Sequence, residues 1–270
     1  MKKSAATIGE TMRPIIVTLV VLGLTGFNVL FSIKAVALDF DFYLGNWVEL
    51  DIPKSAQMSL DDLKQVGWKL IAYFTGNEST PQLTLTVDGI QRPLYRENEI
   101  THLEDVRALF QLGFLLKHVC EVLVLLGILL SVLVCKYVPG GKCTVNGKSS
   151  KTGKQSSGHL LNTVKSITGK SFKTAGVTLT IATILLALPA AFDFTGWWTG
   201  FHLLTFQNDL WRLDPDLDWL IKIFPEEFFL SAAKRTALYS LSLSAIYFAL
   251  GIVLGLSVNH FSSDHCKNCF

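Results

Sequence analysis

Cysteine is scarce in this chain, and none of it lies where chemistry outside a membrane would use it. The five cysteines are Cys120 and Cys135 in or near one apolar run, Cys143 in a basic loop, and Cys266 and Cys269 at the extreme C-terminus. The segments expected to face outward contain none, so they hold neither a disulfide framework nor a thiol nucleophile. No GxSxG nucleophile elbow occurs. There is no HExxH pair for zinc, no glycine-rich phosphate loop and no His-x-x-x-x-Asp pair. The terminal Cys266-x-x-Cys269, with His260 and His265 nearby, lacks a further ligand at matched spacing and a packed domain around it. It reads as a frayed cytoplasmic tail. No metal site, no cofactor and no nucleic-acid module is expected.

Charge is also sparse. Only 17% of residues are charged and 50% are hydrophobic, a balance unusual for a soluble domain and ordinary for a polytopic membrane protein. Four apolar stretches, roughly 14–33, 119–138, 177–191 with its flanks, and 236–258, are long enough to cross a bilayer as helices. Lys2 and Lys3 with Ala35-Val36-Ala37 imitate a signal peptide, but the apolar stretch exceeds the usual signal core. It reads as a retained anchor.

Orientation follows from lysine and arginine. Lys2, Lys3 and Arg13 precede the first span. Lys136, Lys142, Lys148, Lys151, Lys154, Lys165, Lys170 and Lys173 lie between the second and third, without a carboxylate among them. Both regions are expected in the cytoplasm, with both termini. The intervening segments are acidic overall and face outward. Lys234-Arg235, at the outer end of the fourth span, reads as snorkelling; holding a lipid phosphate is the competing role.

The expected organisation is an all-α membrane protein with four transmembrane helices. Residues 1–38 form the first; 39–100 form a small extracytoplasmic subdomain; 101–138 form the second; 139–174 are a basic cytoplasmic loop. The third span covers 175–196, an interfacial aromatic and acidic tract 197–233, the fourth span 234–258 and the tail 259–270. In the subdomain, Ser59 caps an amphipathic helix that ends at Gly76. Its apolar positions are Leu60, Leu63, Val66, Leu70, Ile71 and Phe74. Leu83, Leu85 and Val87 alternate with polar residues before Asp88-Gly89, suggesting a short strand pair. The loop 140–171 is rich in Gly, Ser and Lys; it reads as largely disordered and attractive to anionic headgroups.

Two places carry chemistry. In 201–229, aromatic, acidic and amide residues surround His202: Asn208, Asp209, Trp211, Asp214 and Asp218 precede Pro225. An ionisable group at membrane level is a site hypothesis by default, although a histidine beside aromatics also serves packing. In Glu99-Ile100-Thr101-His102-Leu103-Glu104-Asp105-Val106-Arg107, Thr101 and Glu104 form a capping-box pattern that starts the second helix. His102 then lies in the first turn, where the helix dipole keeps it neutral. Glu99 and Asp105 stand three residues to either side and are placed to orient its ring. The spacing fits a base and a helix-capping cluster equally.

Tyr43-Leu44-Gly45, Glu99-x-x-His102-x-x-Asp105-Val106-Arg107, Phe201-His202 through Asn208-Asp209-x-Trp211, Asp214-Pro215 and Phe224-Pro225-x-x-Phe228-Phe229 together resemble the bacterial lipoprotein intramolecular transacylases. The resemblance implies an enzyme of the bacterial cytoplasmic (inner) membrane with its site on the outer face. It would move the sn-2 acyl chain of a diacylglyceryl-modified N-terminal cysteine onto that cysteine's own α-amino group, giving a lyso-lipoprotein. The implied catalytic residues are His102 and His202, supported by Glu99, Asp105, Arg107, Tyr43, Asn208, Asp209, Trp211 and Asp214. The implied partners are a diacylated lipoprotein and membrane lipids. His102 is expected as the base, and His202, with Asn208 or Arg107, as the oxyanion donor. The long lysine-rich loop departs from the family pattern. The competing readings are a lipid or lipoprotein acyl hydrolase using the same histidines, and a non-enzymatic accessory protein.

Overall fold

The computed structural model describes the backbone of residues 2–87, 90–137, 144–145, 148–149 and 157–267, and the side chains of 11–85, 91–134 and 161–257. Four helices dominate it: α1 (Lys2–Ala37), α5 (Glu97–Tyr137), α6 (Ser157–Phe192) and α9 (Glu226–Lys267). Between them come α2 (Phe40–Glu49), α3 (Ile52–Ser55), α4 (Leu60–Thr75), the hairpin β1 (Thr84–Val87) and β2 (Ile90–Pro93), the short pair β3 (Thr144–Val145) and β4 (Lys148–Ser149), α7 (Phe194–Thr205) and α8 (Trp219–Ile223). Each of the four long helices contains a stretch apolar and long enough to cross a membrane. Leu125, Leu185 and Val253 are more than 60% exposed on them. A bilayer, not water, is the solvent such faces fit.

The chain divides into two compact units, one of Met1–Val29, Lys117–Ala182 and Ser240–Phe270, the other of Leu30–Leu116 and Thr183–Tyr239. The first is a helix assembly in which small residues permit close approach. A Cβ at Gly23 would stand 2.8 Å from Val124 and 2.9 Å from the Cys120 carbonyl oxygen; one at Gly176 would stand 2.7 Å from the Ser244 carbonyl. Val20, Leu24, Ala175, Leu179 and Tyr247 form one buried cluster there, and Ile16 with Ile167 another.

The second unit has a conventional apolar core. Trp47, Leu63, Val66, Leu70, Tyr73, Leu94, Leu103 and Ile223 are each at most 2% exposed. Helix α4 contributes one face of it, for the reason its spacing gives. Ser59 accepts from the Asp62 amide at its start, and Gly76 closes it at φ 87°, a left-handed conformation that costs glycine little. Strands β1 and β2 pair antiparallel, with Val87 opposite Ile90 and Thr84 opposite Pro93. The expected Asp88-Gly89 turn lies outside the described residues. Val36 is buried in this core, and the Ala37 carbonyl accepts from the Tyr43 hydroxyl at 2.7 Å, so the signal-like stretch is built into the packing.

Four expectations need revision. Helix α5 starts at Glu97, not Thr101: the Thr101 hydroxyl donates back to the Glu97 carbonyl at 3.0 Å, and Glu99 makes the reach to the Arg96 amide at 2.8 Å. Helix α5 is 41 residues, about 60 Å at 1.5 Å per residue, twice a hydrocarbon core. That length leaves room for its charged first turns, Glu97 to Arg107, beyond a spanning segment. Residues 157–171, expected in a disordered loop, belong to α6, where Ile167 packs against Ile16. The tail is helical through Lys267, although the side chains of Cys266, Cys269, His260 and His265 lie outside the described residues, as do those of Cys135 and Cys143. Arg235 is ion-paired with Asp39 at 2.8 Å and stacks over Phe42.

Candidate active site

Within the second unit, α5 and α7 bring two histidines together. Asp193 accepts from the Gly196 amide and starts α7, which carries His202 on the same face as Trp198. The ring centroids of His102 and His202 lie 6.2 Å apart, and both residues are about 7% exposed or less. Phe206, the C-cap of α7, closes over them at 5.2 Å from His102 and 5.6 Å from His202. Trp198 meets His202 edge-on at 4.6 Å, and Trp211 stacks on it at 4.7 Å.

The two imidazoles differ in what holds them. His202 Nδ1 lies 2.8 Å from the Trp198 carbonyl oxygen. A carbonyl only accepts, so Nδ1 carries the hydrogen and the neutral ring keeps its lone pair on Nε2. His102 Nδ1 is buried and has no hydrogen-bond partner among the described residues. Burial, reinforced by the neighbouring His202, pulls the His102 pKa down to about 4 against a smaller opposing pull from Asp105. Burial also lowers the His202 pKa, opposed by its bond to Trp198. Both rings are thus neutral near pH 7. The expected helix-dipole cause recedes, since His102 sits in the second turn of α5.

The other expected residues divide into groups. Asn208 donates to Asp105 at 2.8 Å, tying the loop after α7 to α5, and accepts from the Leu210 amide at 3.0 Å. Asp209 accepts from Arg212 Nε at 2.9 Å, and the Arg212 guanidinium lies 4.8 Å from the Trp211 ring. Of these residues, Arg212 is the one that lies against Trp211. Four others are directed elsewhere. The Glu99 carboxylate, fully buried, accepts the amides of Leu220 at 2.6 Å and Arg96 at 2.8 Å, so it does not orient His102. Desolvation raises its pKa, partly countered by those amides. Arg107 lies over the Tyr73 ring at 4.5 Å. Tyr43 packs edge-on against Trp47, Phe224 and Phe228, its hydroxyl pKa raised by burial. Asp214 turns on itself, accepting from the Asp216 amide.

Sequence reasoning missed Phe206, a bare aromatic among eighteen phenylalanines. It also missed Arg96, which ion-pairs at 3.1 Å with Asp218, a carboxylate 2% exposed that also receives Asn98 and the Asp214 amide. No signal of spacing links residues 96 and 218. Among the described residues no group of three His, Cys, Asp or Glu side chains is arranged to hold a metal. The arrangement offers an acceptor nitrogen on His202, a second ring nitrogen on His102 and an aromatic wall around both, which is equipment for moving a proton beside a reacting carbonyl.

The family model described as lipoprotein intramolecular transacylase Lit matches residues 18–229. A solved structure of the membrane integral lipoprotein intramolecular transacylase Lit from Bacillus cereus is similar with a TM-score of 0.68 and 22% identity, covering 93% of this chain and 99% of that one. A structure of the same protein with a histidine-to-arginine mutation has a TM-score of 0.66 and 21% identity over 97% and 100% of the two chains. A histidine-to-alanine form gives 0.65 and 21% over 94% and 98%. At these identities the likeness is one of fold. No curated protein matches the chain.

Proposed function

Because the chain belongs to the lipoprotein intramolecular transacylase family, acyltransferases of the membrane, we propose that it moves the sn-2 acyl chain of a diacylglyceryl-modified cysteine to that cysteine's α-amino group. The amine attacks the sn-2 ester carbonyl, a C–N bond forms, the C–O bond to glycerol breaks, and the proton shed by nitrogen ends on the glycerol oxygen. No water is consumed and no enzymic nucleophile is needed. That suits outward segments without cysteine and without a nucleophile elbow.

The observation that carries this reading is the buried pair of imidazoles 6.2 Å apart. An α-ammonium with a pKa near ~8 must first release one proton to solvent; the attacking amine then sheds a second, and that proton is the one carried to the glycerol oxygen. His202 is the better shuttle. Its Nδ1–H is committed to the Trp198 carbonyl, Nε2 is left to accept, and the charged ring that results rests on Trp211. His102, with a pKa near 4, is a poor proton acceptor but a sound neutral N–H donor for the tetrahedral oxyanion. This reverses the roles expected from sequence. Asp105, Asn208 and Asp209 support the loop that carries Trp211; Glu99, Tyr43 and Asp214 support the fold beneath it. Both termini and the lysine-rich segment lie in the cytoplasm and the histidines face outward, by the distribution of basic residues.

The test is expression of His202→Gln and His102→Ala in cells that make diacylated lipoprotein, with mass spectrometry of the lipoprotein N-terminus. Loss of the lyso-form from both variants is expected. Undiminished lyso-form from both would remove the histidines from the mechanism. An acyl hydrolase would release free fatty acid, whereas transacylation conserves the acyl groups on the product.

A further inference from the structure

Among the described residues, four buried side-chain polar atoms have no hydrogen-bond partner: Thr25 Oγ1, Tyr95 Oη, His102 Nδ1 and Trp211 Nε1. Two of the four belong to rings that flank His202. A buried N–H without an acceptor is costly, and folds seldom keep one unless something else satisfies it. From the Trp211 orphan we propose that its indole N–H is a hydrogen-bond donor to the oxygen of the reacting sn-2 ester carbonyl, which makes Trp211 a catalytic residue. The inference rests on the transacylase reading above.

Three features carry it. An indole nitrogen donates and never accepts, so its missing partner is an acceptor such as a carbonyl or an oxyanion. The ring is stacked on His202 at 4.7 Å with 29° between planes, which sets the donor beside the group that handles the amine proton. Nitrogen and oxyanion are substituents of one carbon in the tetrahedral intermediate, so base and donor must be neighbours. Finally, the segment that carries the indole is tied down on both sides of it. Arg212 lies 4.8 Å from it and is fixed by Asp209, while Asn208 turns the chain just before it and is anchored on Asp105. A guanidinium against the ring also draws electron density from it, which strengthens the N–H as a donor. No bond to the indole forms or breaks; it accepts no proton and loses none.

The experiment replaces Trp211 in the full chain with 3-benzothienylalanine, which keeps the bicyclic stack and puts sulfur where the N–H was. Wild type and His202→Gln are run beside it on a diacylated lipopeptide in nanodiscs. The expected result is a kcat lower by about 10²–10³-fold, an unchanged KM, a thermal midpoint no lower than wild type, and an unmoved acid limb in the kcat–pH profile. Wild-type kcat in the benzothienyl protein would overturn the proposal and leave Trp211 as a stacking partner. So would an acid limb that moves while the plateau stays, because Trp211 would then act only through His202. Failure of this inference alone leaves His202→Gln inactive. An active His202→Gln overturns the proton-shuttle reading itself.

Discussion

The Glu99 carboxylate receives the Leu220 backbone amide at 2.6 Å across 121 residues of chain, joining the start of α5 to the start of α8. With its second oxygen on the Arg96 amide, this acid holds in place the turn from which His102 projects. Its buried location serves a joint, not proton transfer.

Glu99→Ala should therefore destabilise the protein strongly, since each buried amide left without an acceptor costs about 1–3 kcal/mol. Glu99→Gln keeps one acceptor oxygen and should retain most of the transacylase activity. Thermal midpoints in detergent, read beside activity, check this. A Gln variant that is fully stable yet inactive would move Glu99 into the chemistry.

Stability should fall as the medium is acidified, and the sign follows from His102. Its folded pKa, about 4, is below the unfolded value near ~6.5. Between those limits the unfolded chain binds a proton that the folded chain refuses, so unfolding becomes easier as pH drops from about 6.5 to 4 and changes little further below. The lowered His202 pKa adds in the same direction. Unfolding of wild type and His102→Gln at pH 4.5 and 7.5 measures it; the variant should lose less of its stability between those two pH values.

Arg107→Gln should leave activity close to wild type. The guanidinium lies over Tyr73 at 4.5 Å, a contact worth about 0.5–1 kcal/mol at an exposed site. A small drop in thermal midpoint with unchanged turnover is the expected outcome, measured by lyso-lipopeptide formation. A large fall in kcat would restore Arg107 as an oxyanion donor.

Much of this was readable in the residues. The four spans, the capped amphipathic α4 and the β1–β2 pair follow from local pattern, because hydrophobic period and capping act within a few residues. The histidines could be named because each sits in a local acid- or aromatic-rich motif. What sequence could not supply was direction. Glu99 and Arg107 flank His102 in sequence yet point to Leu220 and Tyr73, since the packing of α5 against α8 and α4 decides which face each presents. The His202 tautomer depends on one carbonyl, that of Trp198, and with it the division of roles. Residues 157–173 looked like a solvated basic loop because their lysines masked Val164, Ile167 and Phe172, the apolar positions that pack in the first unit.

The central claim is that one acyl chain moves within one molecule under the two imidazoles. Two diacylated lipopeptides answer it directly, one with a deuterated sn-2 chain and a light peptide, the other with a light chain and a heavy peptide, mixed with the protein and followed by mass spectrometry. The account predicts amide-linked chains that stay with their original peptides, no free fatty acid, and no product with His202→Gln. Label exchanged between peptides, or fatty acid released in proportion to turnover, would contradict it.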